Sequence, residues 1–279
     1  MRKASLTSGE RLQRHGRGER DQVERDKRFI ANLIVIGASA GGHRALMEIL
    51  KDFSPDMPAA IVILQHMPLE SPRALKEWLG HFSRLPIIRV ENQEPLQQGF
   101  IFVPPPGRAA IFSRGVITVE HGIPDRPVST INRLFTSAAQ SYGERVIGVI
   151  LTGLLRDGTE GLLAVHEAGG LTMVQDPREA EYPEMPTHAM EGLPVTFCLN
   201  LADIGPALEL LVRRTAQFET GLAVAIRTLQ DRASLLVRLI KQSSRNSGTR
   251  KFLSNELASL RHEIQSINNL VKVSLAEHA

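Results

Sequence analysis

Leu33-Ile-Val-Ile-Gly-Ala-Ser39-Ala-Gly-Gly42 joins an apolar run to a glycine-rich turn, and Ala45-Leu-Met-Glu-Ile-Leu50 follows with helical spacing. Leu33–Ile36, mostly β-branched, reads as a buried strand. A serine between glycines at a strand-to-helix turn fits the nucleophile-elbow pattern G-x-S-x-G. Glycines permit a sharp turn there, and the following helix N-terminus offers free N–H groups to a developing oxyanion. The same pattern also suits a glycine-rich phosphate loop, and the turn by itself leaves both readings open.

Outward from this segment, short apolar runs alternate with amphipathic ones. Ala59–Gln65, Ile87–Val90, Gly99–Val103, Val146–Leu151 and Thr172–Val174 read as strands. Pro72–His81, Thr130–Tyr142, Gly158–Ala168 and Pro186–Glu191 read as helices. Near-continuous apolar strands between helices predict a doubly wound α/β fold, its mostly parallel sheet covered by helices on both faces. Ala110–Phe112 and Val116–Glu120 predict a small antiparallel hairpin. From Pro206 to Leu275 no strand signal occurs. Leu253, Leu257, Leu260, Ile264, Ile267 and Val271 recur in near heptads after a polar break at Ser243–Thr249. The expected organisation is a polar basic tail (1–29), a catalytic α/β domain (30–203) and a C-terminal helical hairpin or coiled coil (204–279).

Charge is spread unevenly over the 279 residues. Residues 1–28 carry nine basic and five acidic side chains and residues 206–279 eleven and six, so the overall +3 leaves the body acidic. An acidic body argues against a nucleic-acid-binding core. No 18-residue apolar run and no leader-like N-terminus occur, which predicts a cytoplasmic chain without membrane insertion. The single cysteine, Cys198, excludes an internal disulfide and is expected to be a small buried hydrophobe.

Sites in open parallel sheets form at the carboxyl ends of strands. Three such ends carry chemistry: Ser39, then His66 in Gln65-His-Met-Pro68, then Asp157 in Thr152-Gly-Leu-Leu-Arg-Asp-Gly158. Together they make a prospective triad, with Ser39 as nucleophile, His66 as base and Asp157 as orienter. Taken singly, Ser39 also fits a structural turn, His66 a loop histidine, and Asp157 an N-cap for the helix from Gly158. The order Ser…His…Asp differs from that of α/β-hydrolases. No G-x-x-x-x-G-K-[ST] or G-x-G-x-x-G occurs, and Gln65-His66 stands where a dinucleotide site wants an acid, which weakens the phosphate-loop reading. The nine histidines show no metal-ligand spacing, so no cofactor or metal is expected.

Ile36-Gly-Ala-Ser-Ala-Gly-Gly42, Gln65-His-Met-Pro68, Phe102-Val-Pro-Pro105, Arg126-Pro127, Gly148-Val-Ile-Leu-Thr-Gly153, Asp157-Gly158 and Met185-Pro186 together resemble the catalytic domain of the CheB-type chemotaxis protein-glutamate methylesterases. The resemblance runs over residues 30–203 and places nucleophile, base and third triad member on Ser39, His66 and Asp157. It implies hydrolysis of glutamate methyl esters on chemoreceptor helices, glutamine deamidation in some members, and oxyanion donors near Leu154 and the turn after Ser39. It also implies a cleft lined by Met185 and Pro186. Two departures stand out. The 29 residues before the first strand are too few for the receiver domain usual in the family, so a separate receiver-domain protein becomes an expected partner. Leu154-Leu155 stands where chemotaxis enzymes tend to have Met and glycine. Self-association through the C-terminal helices is a further expectation. The rival expectations are a catalytically weak domain that binds signalling partners through its helical tail, and a hydrolase of an unrelated small ester.

Overall fold

The structure, a computed structural model, describes residues 32–67, 74–113, 115–120, 129–242 and 247–276. The basic tail 1–29, Pro68, Arg126-Pro127 and the polar break at 243–246 lie outside the described residues. Contacts divide the chain between Val212 and Arg213.

Seven parallel strands form the main sheet of the first unit. They are β1 (Leu33–Ala38), β2 (Ala60–Gln65), β3 (Ile87–Arg89), β5 (Phe100–Val103), β8 (Val146–Ile150), β9 (Leu171–Gln175) and β10 (Phe197–Leu199). Their spatial order is β10-β9-β8-β1-β2-β5-β3. β1 lies between β2 and β8, pairing Ala38 with Gln65 and Gly37 with Ile150. The chain leaves β1 toward β2 and later returns on its other side as β8, so the β1/β8 boundary is a topological switch point, where such sheets open a crevice for ligands.

Alternation along β1 explains the two layers. Leu33 and Val35 face a core shared with α3 (Thr130–Tyr142), α4 (Thr159–Glu167) and α5 (Glu184–Gly192). Ile34, Ile36 and Ala38 face a second core, built with α1 (Gly42–Leu50), α2 (Ala74–Gly80) and the start of α6 (Leu201–Gln242). Strands apolar on both faces cannot tolerate an exposed side, which is why the sheet is sandwiched.

Three particulars differ from the sequence reading. The expected hairpin gains a third strand: β4 (Gln93–Pro95) pairs antiparallel with β7 (Val116–Val119), which pairs with β6 (Ala110–Ser113). β10 was not expected; it extends the sheet edge beside β9. Cys198 is exposed rather than buried. On this edge strand Phe197 and Leu199 turn to the second core, which sends the intervening Cys198 the other way.

The helical region also begins inside the first unit. Ile204, Leu208 and Val212 of α6 are fully buried in the second core, within the unit that ends at Val212. In the second unit the rest of α6 and α7 (Ser247–Ala276) are joined by Arg232–Glu256 at 3.4 Å, and Leu257 and Leu260 are buried. An exposed ion pair of this kind adds well under ~1 kcal/mol, so apolar burial carries the pairing. No helix among the described residues is long and apolar enough to cross a membrane.

Candidate active site

Ser39 and His66 follow directly on paired strands. The His66 N–H donates to Ala38 O at 3.0 Å, continuing the β1–β2 ladder past its last residue. Ser39 is tied by its backbone: its N–H donates to Thr152 O at 3.0 Å, and its carbonyl accepts from Gly42 N–H and from the Gln65 amide. Gly41 completes the turn at φ 76°, a left-handed conformation that a side chain would strain. The sequence therefore folds locally into a strand, a tight turn and the N-terminus of α1, with Ser39 at the vertex.

Asp157 arrives from the far side of β1, at the end of the loop after β8. Its Oδ2 lies 3.0 Å from His66 Nε2, and the two side chains are 12% and 37% exposed respectively. It also accepts the N–H groups of Ile131 (3.0 Å) and Asn132 (3.1 Å) in the first turn of α3. One carboxylate thus caps α3 and faces the imidazole. The N-cap reading of Asp157 is corrected in its target: it caps α3, which begins 27 residues upstream, whereas α4 has Gly158 at its N-cap and no side-chain cap.

An ionised carboxylate accepts only, so the imidazole proton belongs on Nε2 and the lone pair on Nδ1. Thr130 Oγ1 stands 3.2 Å from the same Nε2. Among the described residues no hydrogen bond joins Ser39 Oγ to His66; such contacts commonly tighten only when substrate is bound.

The third wall is the Thr152–Asp157 loop. A Cβ on Gly153 would lie 2.8 Å from Ser39 Cβ and 2.1 Å from Met185 Sδ, so only glycine lets this strand end approach the serine. Thr152 Oγ1 accepts the Tyr182 N–H at 2.8 Å and donates to Ala40 O at 3.1 Å, joining three loops. Gln175 Oε1 accepts the Thr152 N–H at 2.9 Å. Hydrogen bonds from Arg178 to Asp176, next along the chain, hold that carboxyl below the usual carboxylate range. The backbone N–H groups of Ala40 and Leu154 have no partner among the described residues. Ala40 follows Ser39 in the chain, and Leu154 follows Gly153, which packs against Ser39. Gln65, Thr130, Thr152 and Gln175 were not singled out from sequence. The signal available for two of them was a glutamine closing an otherwise apolar strand.

A family model described as CheB methylesterase matches residues 34–208. The chain belongs to the CheB methylesterase family. A protein-glutamate methylesterase/protein-glutamine glutaminase of Anaeromyxobacter dehalogenans is 37% identical over 211 residues, covering 75% of this chain and 62% of that protein. One from Myxococcus xanthus is 32% identical over 187 residues, covering 65% and 54%. The chain therefore spans only about half to three fifths of the length of these curated relatives. The crystal structure of the Thermotoga maritima CheB methylesterase catalytic domain superposes with a TM-score of 0.59 at 29% identity, covering 64% of this chain and 98% of that one. The fold of that catalytic domain is thus shared over the part of this chain that it covers. Among the described residues no cluster of His, Cys, Asp and Glu is disposed to hold a metal.

Proposed function

We propose that this chain is a protein-glutamate methylesterase that acts on methylated helices of chemoreceptor-like signalling proteins and also deamidates glutamine there. The observation that carries the reading is the 3.0 Å contact of His66 Nε2 with Asp157, on a histidine hydrogen-bonded to the end of the strand that leads into Ser39. Ser39 Oγ attacks the ester carbonyl and His66 Nδ1 takes the hydroxyl proton. The tetrahedral oxyanion accepts the N–H groups of Ala40 and Leu154. On collapse the C–O bond to the methoxy group breaks, and His66 returns the proton, so methanol leaves. Water, deprotonated by His66, then attacks the acyl-enzyme; free glutamate and Ser39 are restored. With glutamine as substrate the leaving group is ammonia.

The family relationship and the relatives' names support this substrate class. The test is methanol release from receptor-bearing membranes of the same cell, methylated with a labelled methyl group. Release of labelled methanol by the full chain is expected; none above the enzyme-free control would sink the proposal.

A separate receiver-domain protein is the proposed regulator. The proposed assembly is self-association through the C-terminal helices, supported by exposed Phe218, Val224 and Leu235 on α6, at 73%, 60% and 55%. Sedimentation of the full chain should give an oligomer at micromolar concentration and a monomer for Phe218→Asp. A wild-type monomer at the same concentration would rule the assembly out.

A further inference from the structure

We propose that Glu184 is a positioning residue for the oxyanion side of the site: its carboxylate holds Leu155 in a left-handed conformation and so fixes the turn that carries the Leu154 N–H. The inference rests on the acyl-transfer reading above.

Leu155 is the one non-glycine among the described residues with positive φ, at 67°. An L-residue disfavours that region because Cβ crowds the following carbonyl oxygen. Burial does not compensate, since Leu155 is 73% exposed. What opposes relaxation is a pair of hydrogen bonds, one on each side of its Cα. Glu184 Oε2 accepts the Leu155 N–H at 2.7 Å. His188 Nδ1 donates to Leu155 O at 2.9 Å. Both side chains come from α5, the first from its opening turn and the second one turn on. α5 is itself anchored, with Met185 and Ala189 fully buried and the Met185 N–H on Gly153 O at 3.0 Å.

The clamped turn is only three residues long, Leu154–Arg156. At one end Gly153 abuts Ser39, and at the other Asp157 holds His66. If Leu155 relaxed to negative φ, one of these ends, or the Leu154 N–H between them, would have to move. Misplacement on the scale of an ångström at such a site is costly in rate. A charge-assisted bond to a backbone N–H is stronger than a neutral one, which suits the task of overriding a local preference.

The experiment uses the full chain with p-nitrophenyl acetate as an activated ester probe, comparing wild type, Glu184→Ala, Glu184→Gln, Leu155→Gly and Glu184→Ala/Leu155→Gly. Losing an oxyanion donor outright costs about 10²–10³ in kcat. Glu184→Ala, which only frees the turn, should lose about tenfold or more in kcat with KM within about twofold. Glu184→Gln, which keeps an acceptor oxygen, should recover most of the rate. Leu155→Gly should rescue Glu184→Ala, because glycine adopts the left-handed conformation unaided. Equal losses for Glu184→Ala in the Leu155 and Leu155→Gly backgrounds would overturn the clamp and make Glu184 merely structural. Should Glu184→Ala not fold, restoration of folding and rate by Leu155→Gly supports the clamp, and its failure to restore them overturns it. Wild type without Ser39-dependent hydrolysis would instead bring down the acyl-transfer reading, and this inference with it.

Discussion

Ser39→Ala is expected to lower ester hydrolysis by roughly a million-fold, the scale on which removal of a serine nucleophile acts when its base and orienter are left idle. The residual rate would come from binding and from the Ala40 and Leu154 N–H groups. The fold should not notice. Ser39 is held by its main chain, through Thr152 O, Gly42 N–H and the Gln65 amide, and its hydroxyl makes no hydrogen bond among the described residues. Its loss should therefore shift stability by less than about 0.5 kcal/mol. Parallel measurement of methanol release and thermal unfolding reads both effects. A variant that kept even a tenth of the wild-type rate would remove Ser39 from the mechanism, and an unfolded variant would contradict the backbone account of the turn.

Asp157 is expected to combine two losses that a second substitution separates. Asp157→Ala takes the acceptor from His66 Nε2 and from two N–H groups of α3. The rate should fall about 10⁴-fold through loss of tautomer control, and stability by about 1–2 kcal/mol through loss of the cap. Asp157→Asn retains one oxygen for the helix N-terminus but presents an amide N–H toward Nε2, which favours the wrong tautomer. It should lose a comparable rate with a smaller loss of stability. Equal stability losses in the two variants would mean that the carboxylate does not act as a cap. An Asp157→Asn enzyme close to wild-type rate would refute its role as orienter.

Much of this architecture was legible because its cues are local. Leu33–Leu50 announces strand, turn and helix by composition, and the apolar runs at 60–65 and 146–150 allow nothing but buried strands. Ser39, His66 and Asp157 were singled out by one rule, that chemistry gathers at strand ends, and the structure brings His66 Nε2 to 3.0 Å from Asp157. β4 escaped because Gln93-Glu-Pro95 has the composition of a turn, and β10 because Phe197-Cys-Leu199 is too short to show alternation. Phe197-Cys-Leu199 reads as buried until its position at the sheet edge is known, which is why Cys198 was misjudged. Contacts distant in sequence left no trace. Asp157 caps a helix that begins 27 residues before it, and Glu184 reaches a backbone N–H 29 residues back. Nothing in the letters Leu154-Leu155 states that the second adopts a glycine's backbone angle; that follows only from the loop's two fixed ends.

The two sides of the cleft are built at different depths. Ser39 follows directly on the innermost strand, which is hydrogen-bonded on both edges and buried on both faces. Leu155 stands on an exposed turn kept in place by two side chains of one short helix. Opening free energy in a folded protein is lowest where buried contacts are fewest and highest in central strands. The turn at Leu155 should therefore exchange its amide protons by local opening, while β1 exchanges only when the whole unit unfolds. Loss of turnover in mild denaturant would then run ahead of loss of structure, with the nucleophile still seated in an intact sheet.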